Sequence, residues 1–200
     1  MKIATWNVAK PVSAGRRHAM RKHIDDVHAD VLVLTETHDG FASGHQHSCS
    51  SSEGLDGPEK TPHRWVTIWS SNRLEQLETK DMKRTTAARV YPVNDDPYII
   101  FGTVLPWVGS YWEGRPWNGG VAFSESLQVQ EDDWKTIQSR YPEDEFFVLG
   151  DFNQDLANPP KFYGSKRNRE RLELALIEAG LVALTAGDGD PIRLKSKKWA

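Results

Sequence analysis

Apolar and polar positions alternate from Lys2 to Val8 (Lys2-Ile-Ala-Thr-Trp-Asn-Val8), which predicts a first strand. Ser13 stands where an N-cap would, ahead of a helix over 14–28 in which Met20, Ile24 and Val27 share one face. Val31-Leu-Val-Leu34 is apolar on both faces, the pattern of a buried central strand. Residues 38–63 are rich in Gly, Ser and His and read as a long surface loop. Further strands are predicted at Trp65–Trp69, Ala87–Val93 and Tyr98–Leu105. A helix over 125–140 follows, lining up Trp134, Ile137 and Tyr141 on one face. Phe146-Phe-Val-Leu149 reads as another buried strand, and Arg169–Ala179 as a helix that stops at Gly180. Strands and helices intermixed in this way predict an α+β fold of packed layers, with no internal repeat.

Composition narrows the class. Two hundred residues suit a single domain spanning 1–200 with its own core. No apolar run approaches the ~20 residues of a membrane span, and the N-terminus lacks a signal-peptide core. Cys49 is the only cysteine, so no intrachain disulfide forms, and a reducing, cytoplasmic setting is expected. The net charge of −3 hides an asymmetry. Residues 156–200 carry nine basic and five acidic side chains, a balance of +4, which leaves −7 on 1–155. A basic end on an acidic body suits either a phosphate-facing flank or an ordinary solvated surface.

The chemistry collects at strand ends. Three times an apolar strand runs into a polar residue fit for metal or phosphate work: Asn7, Glu36 after Thr35, and Asp151 after Gly150, with Asn153 two residues on. Strand ends in layered α and β folds converge on one pocket. Carboxylate and amide oxygens suit a hard cation such as Mg²⁺ and not zinc. Taken singly, each of these residues is an ordinary turn or surface residue; their joint order and spacing carry the signal.

At these residues the sequence resembles a known family. Thr5-Trp6-Asn7, Leu34-Thr35-Glu36-Thr37 and Gly150-Asp151-Phe152-Asn153 look like the first, second and fourth signature blocks of the endonuclease/exonuclease/phosphatase (DNase I-like) superfamily. Ile99-Ile-Phe-Gly-Thr-Val-Leu-Pro-Trp107 is similar to the third. The resemblance implies a four-layer α/β/β/α sandwich and a metal-dependent hydrolase of phosphodiester (nuclease-like) or phosphomonoester bonds. The cofactor it implies is Mg²⁺, with Mn²⁺ as a substitute. By the same resemblance Glu36 is the principal metal ligand with Asn7 beside it. Asp151 orients or deprotonates the attacking water, and Asn153 hydrogen-bonds a phosphate oxygen. Asp155 reads as a carboxylate behind the site or as a loop charge.

The family's late Asp-His blocks are missing, and no histidine follows His63. Val104 stands where the third block often has His or Tyr. Three explanations follow: a fold incomplete at its C-terminus, a catalytic imidazole from elsewhere with His38 as the candidate, or an impaired relative that only binds metal and phosphate. Truncation is the expectation, and it would uncover a sheet edge. A different class, a zinc-binding module through His45, His47 and Cys49, rests on a weaker spacing. His18, His23 and His28 recur every five residues and read as surface side chains. The implied partner is a phosphate-ester substrate, nucleic acid among the candidates. Trp107, Tyr111, Trp112 and Trp117 form an aromatic loop that stacks on a base or packs over the sandwich edge.

Overall fold

The structure is a computed structural model that describes residues 1–54, 62–107, 110–112, 115–116, 120–156 and 163–185. Trp117 of the aromatic loop, and Lys161 and the residues from Arg193 onward in the basic end, lie outside the described residues. The elements run β1 (Ile3–Asn7), α1 (Ala14–Val27), β2 (Val31–His38), β3 (His47–Ser50), β4 (His63–Ser70), β5 (Arg73–Leu77), β6 (Thr85–Tyr91) and β7 (Tyr98–Val104). They continue with β8 (Tyr111–Trp112), β9 (Arg115–Pro116), α2 (Val121–Arg140), β10 (Glu145–Asp151) and α3 (Lys166–Glu178).

Two four-stranded sheets form, in the orders β1-β2-β4-β3 and β10-β7-β6-β5. Alternation within the buried strands sorts the apolar residues into three cores. Leu32 and Leu34 of β2 face α1 and meet Met20, Ile24 and Trp69. Val31 and Val33 face inward and pack with Val66, Ile68, Ala88 and Ile100 between the sheets. Ile99 and Phe101 of β7 face the other way, against Phe123, Leu127 and Trp134 of α2 and Leu172 of α3. Helix, sheet, sheet and helices therefore stack as the expected four layers. No helix among the described residues is long and apolar enough to cross a membrane.

The caps follow the sequence. The Ser13 hydroxyl accepts the Arg16 N–H at 3.2 Å. Gly180, at φ 67°, ends α3: its N–H donates to Ile177 O and that of Leu181 to Leu176 O, a Schellman motif. Several boundaries differ. Residues 38–63 are not all loop, because β3 pairs with β4; four residues written His-Ser-Cys-Ser give little apolar signal. β5 is a polar edge strand with only Leu77 buried, so its sequence gives no core face to detect. α2 begins at Val121 rather than near 125, and β6 ends before the exposed Val93. β10 is half-buried rather than buried, since it is an outer strand of its sheet; β1 is likewise outermost, and the two lie against each other.

The structure does not gather His45, His47 and Cys49 into a ligand set. One ring nitrogen of His45 bonds Ser43 Oγ and the other the carbonyl of Ala29, each at 2.9 Å. Cys49 is buried between the sheets, and burial pushes its thiol up to about 11, far from the thiolate that zinc requires. Among the described residues no group of three or more His, Cys, Asp or Glu is placed to hold a metal.

α2 and α3 are joined by a buried carboxylate. Glu131 accepts from Lys135 Nζ at 2.5 Å and from Arg171 Nη2 at 2.6 Å. Burial pushes the Glu131 carboxyl up, but these hydrogen bonds outweigh it and hold the pKa below the ordinary value. Glu131→Ala should cost about 2 kcal/mol at neutral pH, less than the loss at a fully buried pair because Lys135 and Arg171 reach water. A depressed carboxylate stabilises the fold above its unfolded pKa and loses that contribution as pH falls through the folded one. The gap between the variant and the parent, read by urea unfolding, should therefore narrow on acidification; a gap that widens would refute the assignment.

Candidate active site

β1 runs parallel to β2 in the register Ile3↔Val31 to Asn7↔Thr35, so Asn7 and Glu36 arrive at the same end of one sheet. β10 runs parallel to β7 and ends at Asp151 in the facing sheet. The three strand ends meet on Asn7. Its Nδ2 donates to Glu36 Oε1 at 3.1 Å and to Asp151 Oδ2 at 2.8 Å. Carboxylates only accept, so this bridge fixes which way the amide is turned, and Asn7 Oδ1 accepts the Ala9 N–H at 2.9 Å. Asn153 closes the group: its N–H donates to Asp151 Oδ1 at 3.0 Å and its Nδ2 to Leu105 O at 2.9 Å. One Asn153 amide hydrogen is thereby engaged, and the side chain offers a second. All four residues predicted from the sequence thus stand in one hydrogen-bonded group.

The backbone is strained at the same place. Five described non-glycine residues have positive φ, and four of them surround this group: Ala9 (48°), Lys10 (55°), Glu36 (54°) and Asn153 (50°). The fifth, His28, caps α1. Left-handed backbone costs an L-residue about 1–2 kcal/mol and concentrates at functional sites. Hydrogen bonds from Val8 N to Thr35 O (3.0 Å) and from Lys10 N to Glu36 O (2.9 Å) hold the first loop in this conformation.

Three residues that sequence reasoning missed belong here. Lys10 Nζ lies 3.8 Å from Glu36 Oε2 and 5.8 Å from the Trp65 ring centre. Arg84 is fully buried, 4.3 Å from the Trp65 ring centre and 5.7 Å from that of Trp107, and Nη1 donates to Val104 O. Burial pushes Arg84 down to about 9, with Glu36 opposing the shift, so it stays charged at neutral pH. The hydroxyl of Tyr163 is raised first by burial and then by the charge of Asp151. Lys10, three residues after Asn7, was within reach of a motif argument. Nothing in the sequence marks Arg84 or Tyr163.

Other candidates fall elsewhere. His38 stands edge-on to His63, ring centres 5.1 Å apart, and its Nδ1 accepts the Gly40 N–H. His63 is lowered by burial, then by His38 and Lys10. Neither imidazole hydrogen-bonds the Asn7 group. Val104 is buried between the sheets, Trp107 packs on Trp65 at 5.5 Å, and Trp112 is buried with Nε1 donating to Asp81. Both side chains therefore pack against the protein's own residues. Asp155 clamps the Tyr163 N–H at 2.8 Å, which makes it a loop anchor. His18, His23 and His28 are exposed, as expected.

Glu36 and Asp151 are two carboxylates within reach of one amide nitrogen, an oxygen-only donor set that could hold Mg²⁺ or Mn²⁺. Mg²⁺ takes one or two carboxylates and keeps its waters, so the set fits. Over residues 4–193 the sequence matches the Endonuclease/Exonuclease/phosphatase family. None of the curated proteins matches it. Solved structures resemble it in fold at low identity. An AP endonuclease from Archaeoglobus fulgidus has a TM-score of 0.62 at 18% identity, over 89% of this chain and 70% of that one. An endonuclease/exonuclease/phosphatase from Beutenbergia cavernae has 0.58 at 14%, over 90% and 53%. A mannosyl-6-phosphatase from Bacteroides thetaiotaomicron has 0.57 at 10%, over 86% and 69%.

Proposed function

Because the chain belongs to the endonuclease/exonuclease/phosphatase family, we propose that it is a divalent-metal-dependent phosphoesterase working at Asn7, Glu36, Asp151 and Asn153. The observation that carries this reading is the Asn7 amide bridging Glu36 and Asp151 from strands of both sheets. Glu36, with Asn7 beside it, would hold Mg²⁺, and the bound ion would supply positive charge against the negative charge that develops at phosphorus. Asp151 orients the attacking water and takes its proton, as an acceptor held on both oxygens by Asn7 and Asn153. The free Asn153 amide hydrogen is available to a phosphate oxygen. Lys10 adds positive charge for an anionic substrate beside Glu36. Buried Cys49, the only cysteine, supports a reducing compartment such as the cytoplasm.

The diester and monoester readings separate in one assay. Bis-p-nitrophenyl phosphate and p-nitrophenyl phosphate release a leaving group that departs without protonation, so both report on the metal and water chemistry alone. Turnover of at least one in Mg²⁺, falling to background in EDTA and returning with excess Mg²⁺, is the expected result. The substrate that turns over faster assigns the bond. Failure on both, and on a nicked DNA duplex, by protein that is folded would overturn the reading in favour of a relative that only binds metal and phosphate.

A further inference from the structure

A cavity lies at the opposite pole, where β2, β7 and β10 begin rather than end. It measures about 490 Å³, and its lining includes Asp30, Asp95, Asp96, Glu143 and Glu145 together with Tyr98 and the N-terminal Met1. These carboxylates come from three separate stretches of the chain, ahead of β2, ahead of β7 and at the start of β10, so their convergence is a property of the fold and not of a local charge run. Asp30 accepts the Lys2 N–H at 2.7 Å. Among the described residues, Asp95, Asp96, Glu143 and Glu145 make no ion pair or side-chain hydrogen bond. Arg89, a cation of the same region, is already engaged by both oxygens of Asp144 at 2.6 and 3.0 Å.

Tyr98 supplies an independent sign. It lines the cavity, is 4% exposed and packs its ring on Phe147, and its hydroxyl is buried without a hydrogen-bond partner. Leaving a buried hydroxyl unpaired is costly, and such groups in native folds call for an explanation. A ligand N–H reaching the phenol oxygen provides one. The size selects the class of ligand. The volume falls in the ~300–1,000 Å³ range of small-molecule sites and far exceeds the space of one Mg²⁺, which needs its oxygens at about 2.1 Å. Several separate carboxylates round the wall, with Val93 and Pro97 as apolar contacts, match positive charges separated by methylene segments.

We propose that this cavity binds a linear aliphatic polyamine, its ammonium groups held by Asp95, Asp96, Glu143 and Glu145 and one N–H donated to the Tyr98 hydroxyl. The site is remote from Asn7 and Glu36 and does not depend on what they do.

Calorimetric titration of the full chain with spermidine tests it. One saturable site is expected, undiminished by equimolar Mg²⁺. The double variant Asp95→Asn, Asp96→Asn, on exposed loop positions, should weaken binding at least tenfold. Tyr98→Phe should weaken it several-fold without lowering the unfolding midpoint, because it removes an unpaired hydroxyl and keeps the ring. Glu36→Gln should leave it unchanged. Absent binding, or binding lost in Glu36→Gln, or displacement by equimolar Mg²⁺ would each overturn the proposal. None of these outcomes bears on phosphate-ester hydrolysis, which is read separately by p-nitrophenolate release.

Discussion

Asp151→Asn is expected to lower kcat for the preferred p-nitrophenyl substrate about 10²–10⁴-fold, the usual worth of a positioned general base. The variant changes charge and proton-accepting power with almost no change of volume. Its effect should also exceed the simple loss of a base. In the parent, both Asp151 oxygens accept, one from Asn7 Nδ2 at 2.8 Å and the other from the Asn153 N–H at 3.0 Å. An amide at position 151 can satisfy one of these donors and must turn its own NH₂ toward the other. If it keeps Asn153, it faces Asn7 donor to donor, and the bridge to Glu36 loosens. KM should change less than kcat, because Lys10 and Asn153 remain to attract the phosphate. Steady-state kinetics in saturating Mg²⁺, with circular dichroism as the folding control, measures both. A kcat within fivefold of the parent would remove Asp151 from the reaction.

The reason these four residues were legible in the sequence is that strand direction does most of the work. An apolar strand that runs into Asn7, Glu36 or Asp151 places that residue at a carboxyl end, and parallel pairing of β1 with β2 and of β10 with β7 gathers such ends on one side. Residues without a strand-end signature gave no such clue. Arg84 precedes β6 and reaches the site only because Trp65 of β4 lies beneath it across the gap between the sheets. Tyr163 comes near Asp151 with its N–H held by the Asp155 carboxylate. The acidic cavity escaped for the same reason: Asp30, Asp95 and Glu143 are distant in sequence and meet only when the sheets stack. Short or polar strands were lost differently. β3 and β5 pair through the backbone, yet each buries a single side chain fully, and hydrophobic periodicity detects only what is buried.

Gly150 shows how tightly the site depends on backbone geometry, and Gly150→Ala should lower stability by about 3 kcal/mol or more. Its φ of 144° is a region that L-residues rarely adopt, and a Cβ built there would lie 1.9 Å from the carbonyl oxygen of Thr103. Thr103 is its register partner on β7, so neither strand yields without breaking the ladder that carries Asp151. Gly102, one residue away on β7, makes a fair comparison. A Cβ there would meet the Val66 side chain at 2.5 Å, inside the core between the sheets. A methyl group pressing on a side chain can be relieved by repacking; one pressing on a carbonyl oxygen displaces the strand. Gly102→Ala should therefore lose stability and keep kcat under conditions where it is folded. Gly150→Ala should lose both, since any shift of β10 moves Asp151 off the Asn7 amide. Urea unfolding and kinetics on the two variants side by side decide it. A Gly150→Ala protein as stable and as active as Gly102→Ala would mean that Asp151 is not positioned through this turn of the strand.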